Sequence, residues 1–153
     1  MPSSTLRRKS FIVLRDVFGD DQDIRKGTIA YFTRRDGWLL VLDTLCYHIV
    51  VKINDVELLD NLFPQMNPAG VNIRKALDLI ETMARSRDPR PYWRACYNQL
   101  MTSRSHLGEI SRDEINIAIE DLKYYVDDPF SMRTQLGNVL LHVGRAILFD
   151  LGL

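Results

Sequence analysis

Cysteine and histidine are scarce in this sequence, which has two cysteines and three histidines among 153 residues. Neither Cys46 nor Cys96 belongs to a Cys-x-x-Cys pair or lies at zinc-ligand spacing from a histidine, so the patterns of zinc and thioredoxin-like sites are missing. We expect two buried free thiols, with one disulfide as the alternative in an oxidising compartment. No metal and no cofactor is expected.

Signatures of common enzyme classes are missing too. The chain has no P-loop, no G-x-G-x-x-G turn and no G-x-S-x-G elbow. His48 and His142 lie within apolar segments and are expected to be structural. An EF-type calcium loop beginning at Asp21 would place Lys26 where glycine is required and Phe32 where a bidentate glutamate is required, so calcium binding there is excluded.

Long apolar runs and an excess of either charge are also missing. No apolar stretch reaches the roughly 18–20 residues of a membrane helix. The apolar residues that follow the basic N-terminus are interrupted by Arg15 and Asp16, which argues against a signal peptide. Twenty basic side chains balance twenty acidic ones, unlike a protein that coats nucleic acid. We expect a cytoplasmic protein without a membrane partner.

What the chain does contain is a change of hydrophobic period near Pro64. Before it, apolar residues form short β-branched and aromatic runs; after Pro68, they recur at helical spacing. The pattern predicts an α+β fold, with a small antiparallel β-barrel or curled sheet followed by a four-helix C-terminal region. The predicted parts are a flexible basic tail (1–9), a β module (10–62), a linker (63–71) and a helical module (72–153).

The β module should hold five short strands. One of its turns contains Asp36-Gly37, the strongest short hairpin signal, and predicts a type I′ turn with both residues at its centre. The last strand, near Val56, is expected to be either a strand or a helical turn. Tight turns over about 50 residues favour a curled or closed sheet.

Two segments of this module, residues 24–29 (IRKGTI) and 53–58 (INDVEL), flank the hairpin. Over roughly residues 10–60 the chain resembles the SH3-like small barrels of the KOW/Tudor type. That resemblance implies a fold more than a function, because such barrels bind RNA polymerase, ribosomal RNA, methylated tails or other proteins. The layout is also similar to that of the CarD-type transcription regulators, although no motif is shared with them.

In the helical module, apolar spacing predicts helices over about 72–85, 92–104, 111–127 and 129–151. Ser111 and Glu114 have the spacing of a capping box at the start of the third helix. Gly137 and Gly144 lie two turns apart on one face of the last helix, although glycine costs about 1 kcal/mol in a helix interior. We expect another helix or the β module to approach this face closely.

The segment from 85 to 104 interleaves arginines with aromatic residues. Arginine binds carboxylates or phosphates, and aromatic side chains stack or fill a partner's pocket, so the segment is a candidate binding surface. Its candidate residues are Arg87, Arg90, Tyr92, Trp93, Arg94 and Tyr97. The alternative is that the aromatics belong to the core and the arginines only solvate the opposite face.

The hairpin is a second candidate surface, through Arg34, Arg35 and Trp38; its alternative is a charged turn over a core tryptophan. Together the two surfaces favour a non-enzymatic, regulatory or accessory module that binds a protein partner. A nucleic-acid-associated factor of the transcription or RNA machinery is the second hypothesis. An enzyme of an unrecognised family, with a site built from scattered residues, is the third.

Overall fold

The computed structural model describes residues 8–19, 21–124 and 127–153. The chain is α+β, with an N-terminal antiparallel sheet and C-terminal helices, as predicted. Most of the predicted basic tail, residues 1–7, lies outside the described residues. The strands are β1 (Ser10–Val13), β2 (Val17–Phe18), β3 (Asp23–Ile24), β4 (Ile29–Asp36), β5 (Leu39–Asp43), β6 (His48–Lys52) and β7 (Val56–Leu58).

The main sheet has the order β6-β5-β4-β1-β7, with antiparallel neighbours, and β2 pairs separately with β3. In the described ranges β6 and β7 stay at opposite edges, so of the two predicted alternatives, a barrel or a curled sheet, the closed barrel is wrong. Two features keep the sheet open. The three-residue β7 leads directly into a helix, and the side-chain amide of Gln22 donates to the edge carbonyl of Val50 at 2.9 Å.

The hairpin between β4 and β5 differs from its prediction by one residue. Asp36 pairs with Leu39, so the loop residues are Gly37 and Trp38, and Gly37 alone of these has a positive φ, +60°. The register shifts at Thr33, where β4 bulges between Phe32 and Arg34. This turn is therefore not the predicted type I′ turn, and it places Trp38 at the hairpin tip.

Five α-helices follow in the residues that the structure describes. They are α1 (Leu59–Leu62), α2 (Ala69–Arg85), α3 (Arg90–Arg104), α4 (Glu109–Leu122) and α5 (Pro129–Leu151). The predicted count of four is wrong because the end of the β module forms the short α1, with Leu59 and Leu62 buried. A 3₁₀ turn at Phe63–Met66, with both end residues buried, occupies the first four of the nine residues of the predicted linker, and α2 takes up the last three.

The predicted capping box of α4 is wrong, because the helix begins earlier, at Glu109, with Gly108 as its N-cap. Glu114 turns instead toward α5, where one carboxylate oxygen lies 2.8 Å from Nδ1 of His142 and the other 3.1 Å from Arg145. At the start of α5, the Asp128 carboxylate accepts the Ser131 backbone N–H at 2.9 Å. That hydrogen bond lowers the pKa of Asp128 and confirms the predicted helix start there.

Both faces of the sheet contribute side chains to a hydrophobic core. On one face Ile12, Ile29 and Tyr31 join the helices in the larger core, and the Tyr31 hydroxyl donates to the Leu77 carbonyl at 2.9 Å. The Arg8 guanidinium lies 5.4 Å from the centre of the Tyr31 ring. The β2–β3 pair covers the other face, and its Ile24 belongs to a second core with Val13, Ala30, Leu40, Leu42, Ile49, Val51 and Val56.

The predicted close approach to the glycine face of α5 is confirmed. A Cβ atom at Gly144 would collide with the carbonyl oxygen of Gly27, which itself has a φ of +93°. A Cβ atom at Gly137 would lie 2.7 Å from Sγ of Cys46. The loops of the β module therefore rest directly on the backbone of α5.

Gly144→Ala should destabilise the protein by about 3 kcal/mol, because the added methyl meets a backbone carbonyl that cannot rotate away. Without that clash, alanine in a helix interior would be stabilising. Chemical unfolding followed by circular dichroism measures the change. A variant as stable as the parent would contradict the close approach.

Gly137→Ala is the matched control. Its methyl meets a side-chain sulfur that can rotate, so the loss should be smaller, about 1 kcal/mol. In a Cys46→Ala background, where the sulfur is gone, the same substitution should cost less still. Equal losses in both backgrounds would mean that the sulfur is not the obstacle.

Candidate functional site

Helix α3 positions the arginines and aromatics of the candidate segment. It begins at the Pro89-Arg90-Pro91 sequence, which breaks the chain after α2 and suits a helix start. Only a narrow stripe, Cys96, Leu100 and Ser103, is fully buried. Trp93 and Tyr97, beside that stripe, are half-buried, and Arg90 and Arg94 are exposed.

An open groove of about 460 Å³ lies between the first half of α3 and the C-terminal end of α4. We call it the α3 groove; its lining residues are Arg90, Trp93, Arg94, Tyr97 and Lys123. Four of the six residues predicted in this segment thus come together. Arg87 and Tyr92 are exposed outside the lining.

Lys123 was not predicted as a site residue, because it follows the next helix and no local motif marks it. One signal could have found it. The end of α4 must lie near the start of α3 if the two helices are antiparallel neighbours, and the short connection between them favours that arrangement. The structure shows this antiparallel arrangement. Trp93 contacts Leu122, and Arg104 donates to the Asn116 side chain at 2.9 Å.

Trp93 fixes the shape of the groove. Its indole N–H donates to the Leu122 carbonyl at 2.6 Å, at the end of α4 where carbonyls lack partners within the helix. Trp93 and Tyr97 are both half-buried, and both pack against the larger core while lining the groove. The aromatics therefore serve the core and the groove together.

The groove is cationic although the protein is neutral overall. Three of its lining side chains are Arg90, Arg94 and Lys123. Asp88, at the mouth, accepts from two nitrogens of Arg90 at 2.8 and 3.1 Å. These hydrogen bonds lower the pKa of the Asp88 carboxyl, so it stays ionised near neutral pH.

The chemistry of this lining suits binding. Guanidinium groups form paired hydrogen bonds with carboxylates or phosphates, and the aromatic faces stack against planar or apolar groups. Among the described residues that line the groove there is no carboxylate, imidazole or thiol that could move a proton. Across the described ranges, no three His, Cys, Asp or Glu side chains are grouped to hold a metal ion. None of the described helices is long and apolar enough to cross a bilayer.

The hairpin residues form a separate exposed surface. Arg34 and Arg35 are exposed, and Nε of Arg35 donates to the Gly37 carbonyl at 2.8 Å. Trp38 is 75% exposed, so the alternative of a charged turn over a core tryptophan is wrong. The reason is the shifted turn, which places Trp38 in the loop. None of the three residues lines the α3 groove.

Both cysteines are free, as expected, but only Cys96 is buried. Burial raises the pKa of the Cys96 thiol to about 12. Cys46 lies exposed in the turn after β5, so its predicted burial is wrong. No disulfide joins them in the structure.

No protein-family model matches this chain, and no curated protein or solved structure is significantly similar to it. The resemblances to SH3-like barrels and to CarD-type regulators therefore stay predictions. Function has to be argued from the geometry and charge of the site itself.

Trp93→Phe should lower the free energy of unfolding by about 1 kcal/mol, because the Leu122 carbonyl loses its donor while most of the ring packing is kept. Trp38→Phe is the matched control and should change stability by less than about 0.5 kcal/mol, since Trp38 is exposed. Urea unfolding of both variants measures the difference. Equal stability of the two would contradict a supporting role for Trp93.

Proposed function

We propose that this chain is a protein-interaction module whose α3 groove binds an acidic segment of a partner protein. The observation that carries the proposal is the lining: three cations and two half-buried aromatics converge on one concave surface. Arginine, tryptophan and tyrosine are the residues enriched in binding hot spots. A volume of about 460 Å³ also falls within the range of concave binding sites, roughly 300–1,000 Å³.

The two aromatic side chains of the groove are also held in place by contacts within the chain. Trp93 is held at one edge by its bond to the Leu122 carbonyl and packs on the core, as Tyr97 does. Side chains that are already ordered lose little entropy on binding, so more of the contact energy remains as affinity. Arg94 and Lys123 are exposed and can reach an entering carboxylate.

Charge favours an acidic protein segment over nucleic acid. The chain has no net charge, and Asp88 places a carboxylate at the mouth of the groove, where it would repel a continuous run of phosphates. A short peptide can place its carboxylates on the inner cations and an apolar side chain against the aromatics. Nucleic acid is therefore the alternative ligand, and the test below compares it with the peptide.

Fluorescence anisotropy with a labelled glutamate-rich peptide of about 12 residues, carrying one central leucine, tests the proposal. Arg94→Glu should weaken binding at least about tenfold, since it replaces an attraction by a repulsion. Lys75→Glu, the same change of charge on an exposed residue of α2, is the control and should bind like the parent.

Three results would contradict the proposal. The peptide could fail to bind, or Arg94→Glu and Lys75→Glu could weaken it equally. An oligothymidylate of about 20 nucleotides could also bind more tightly than the peptide, with an affinity that falls steeply with salt. That last result would favour the nucleic-acid hypothesis.

Asp88→Asn should strengthen binding of the same peptide by about threefold, because it removes the carboxylate that competes for Arg90. Asparagine keeps the side-chain oxygen that accepts the Arg90 backbone N–H, so the start of α3 should be preserved. The measurement is the same anisotropy titration at neutral pH, where Asp88 is ionised. Unchanged or weaker binding would mean that Arg90 does not contact the peptide.

A further inference from the structure

The α3 groove carries more positive charge than the acid at its mouth balances. Arg90, Arg94 and Lys123 line the groove, and Asp88 pairs with Arg90 alone. Within the described ranges no acid forms an ion pair with Arg94 or Lys123. The Lys123 ammonium lies instead 5.8 Å from the centre of the exposed Tyr124 ring. Three cations less one carboxylate leave an excess of two positive charges.

The space in which a ligand has to match this excess is small. The groove has a volume of about 460 Å³, and part of its wall is formed by Trp93 and Tyr97, so it holds only a few side chains. A carboxylate brings one negative charge, and two of them would have to enter beside whatever packs on the aromatic rings. A phosphate monoester brings about 1.5 to 2 negative charges at pH 7 and three acceptor oxygens on a single group. One such group therefore matches the excess.

Arg90 also distinguishes the two kinds of anion. Asp88 accepts from Nε and Nη2 of Arg90 at 2.8 and 3.1 Å, which is the paired geometry that a ligand carboxylate would use. A carboxylate that displaces Asp88 exchanges one ion pair for another of the same kind. A phosphate dianion has a higher charge and more acceptors than the carboxylate it replaces, so the exchange favours the ligand.

We propose that the acidic segment bound by the α3 groove is phosphorylated, and that its phosphate monoester contacts Arg94, Lys123 and Arg90. A neighbouring apolar residue of the segment then packs on Trp93 and Tyr97. The phosphates of nucleic acid are diesters, which carry one charge each and follow one another along the strand, so they suit this small groove less well. The inference rests on the proposed function, because it names the chemical class of the group that the groove recognises.

Three fluorescently labelled peptides of about 12 residues test the inference by anisotropy. They share one uncharged sequence with a central leucine and differ only at the next position, which is serine, glutamate or phosphoserine. The phosphoserine peptide should bind at least about tenfold more tightly than the glutamate peptide, and the serine peptide should bind most weakly. Arg94→Gln should weaken the phosphoserine peptide more than the glutamate peptide. Lys75→Gln, on an exposed residue of α2, is the matched control and should change neither.

The pH dependence of binding gives an independent measurement. The second pKa of the phosphate is about 6, so lowering the pH from about 7.5 to about 5.5 should weaken the phosphoserine peptide about fourfold. A glutamate side chain stays ionised over this range, and the glutamate peptide should bind almost unchanged. The hydrogen bonds from Arg90 lower the pKa of Asp88, so this carboxylate does not titrate there either. No histidine is among the described residues that line the groove.

The outcomes separate this inference from the proposed function. Equal affinities for the phosphoserine and glutamate peptides, or a phosphoserine affinity that does not change with pH, would overturn the inference alone. Inorganic phosphate that displaces the labelled phosphopeptide as effectively as unlabelled phosphopeptide does would also overturn it, since the segment would then contribute nothing. If none of the three peptides binds and the glutamate-rich peptide fails as well, the proposed function itself is wrong.

Discussion

The close contact between the backbones of Gly27 and Gly144 determines how the β module packs on the last helix. It lets the turn before β4 rest on α5 without a side chain between them. Helix α5 in turn holds α4, through Glu114 with His142 and Arg145 and through the buried residues of both helices. The end of α4 then offers the carbonyl to which Trp93 donates. The shape of the α3 groove thus depends on a contact in another part of the molecule.

The α3 groove and the larger core share the same aromatic side chains, Trp93 and Tyr97. Its aromatics complete the core between α3 and α4, and the same rings form the walls of a surface open to solvent. Three cations line the groove although the whole chain has no net charge. Asp88 accepts hydrogen bonds from Arg90 and so balances part of this charge. The proposed recognition of an acidic segment rests on this cationic and aromatic lining.

Local patterns were sufficient to predict the fold class, the free cysteines, the start of α5 and the close packing of its glycines. Predictions that needed long-range information failed. Barrel closure depends on whether β6 meets β7, and the Gln22 bond to β6 is invisible in a local pattern. Glu114 has the spacing of a cap, yet its carboxylate pairs with residues 28 and 31 positions later. In the same way, four residues of the groove could be predicted from one segment, whereas Lys123 required the arrangement of two helices.

The most direct test of this account is a titration of the ¹⁵N-labelled protein with the acidic peptide, followed through the two indole N–H signals. Trp93 lines the groove and Trp38 lies at the hairpin tip, so the two signals report the two candidate surfaces separately. The account predicts that the Trp93 signal shifts in a saturable way while the Trp38 signal stays in place. A shift of Trp38 without Trp93, or no shift of either at saturating peptide, would contradict it.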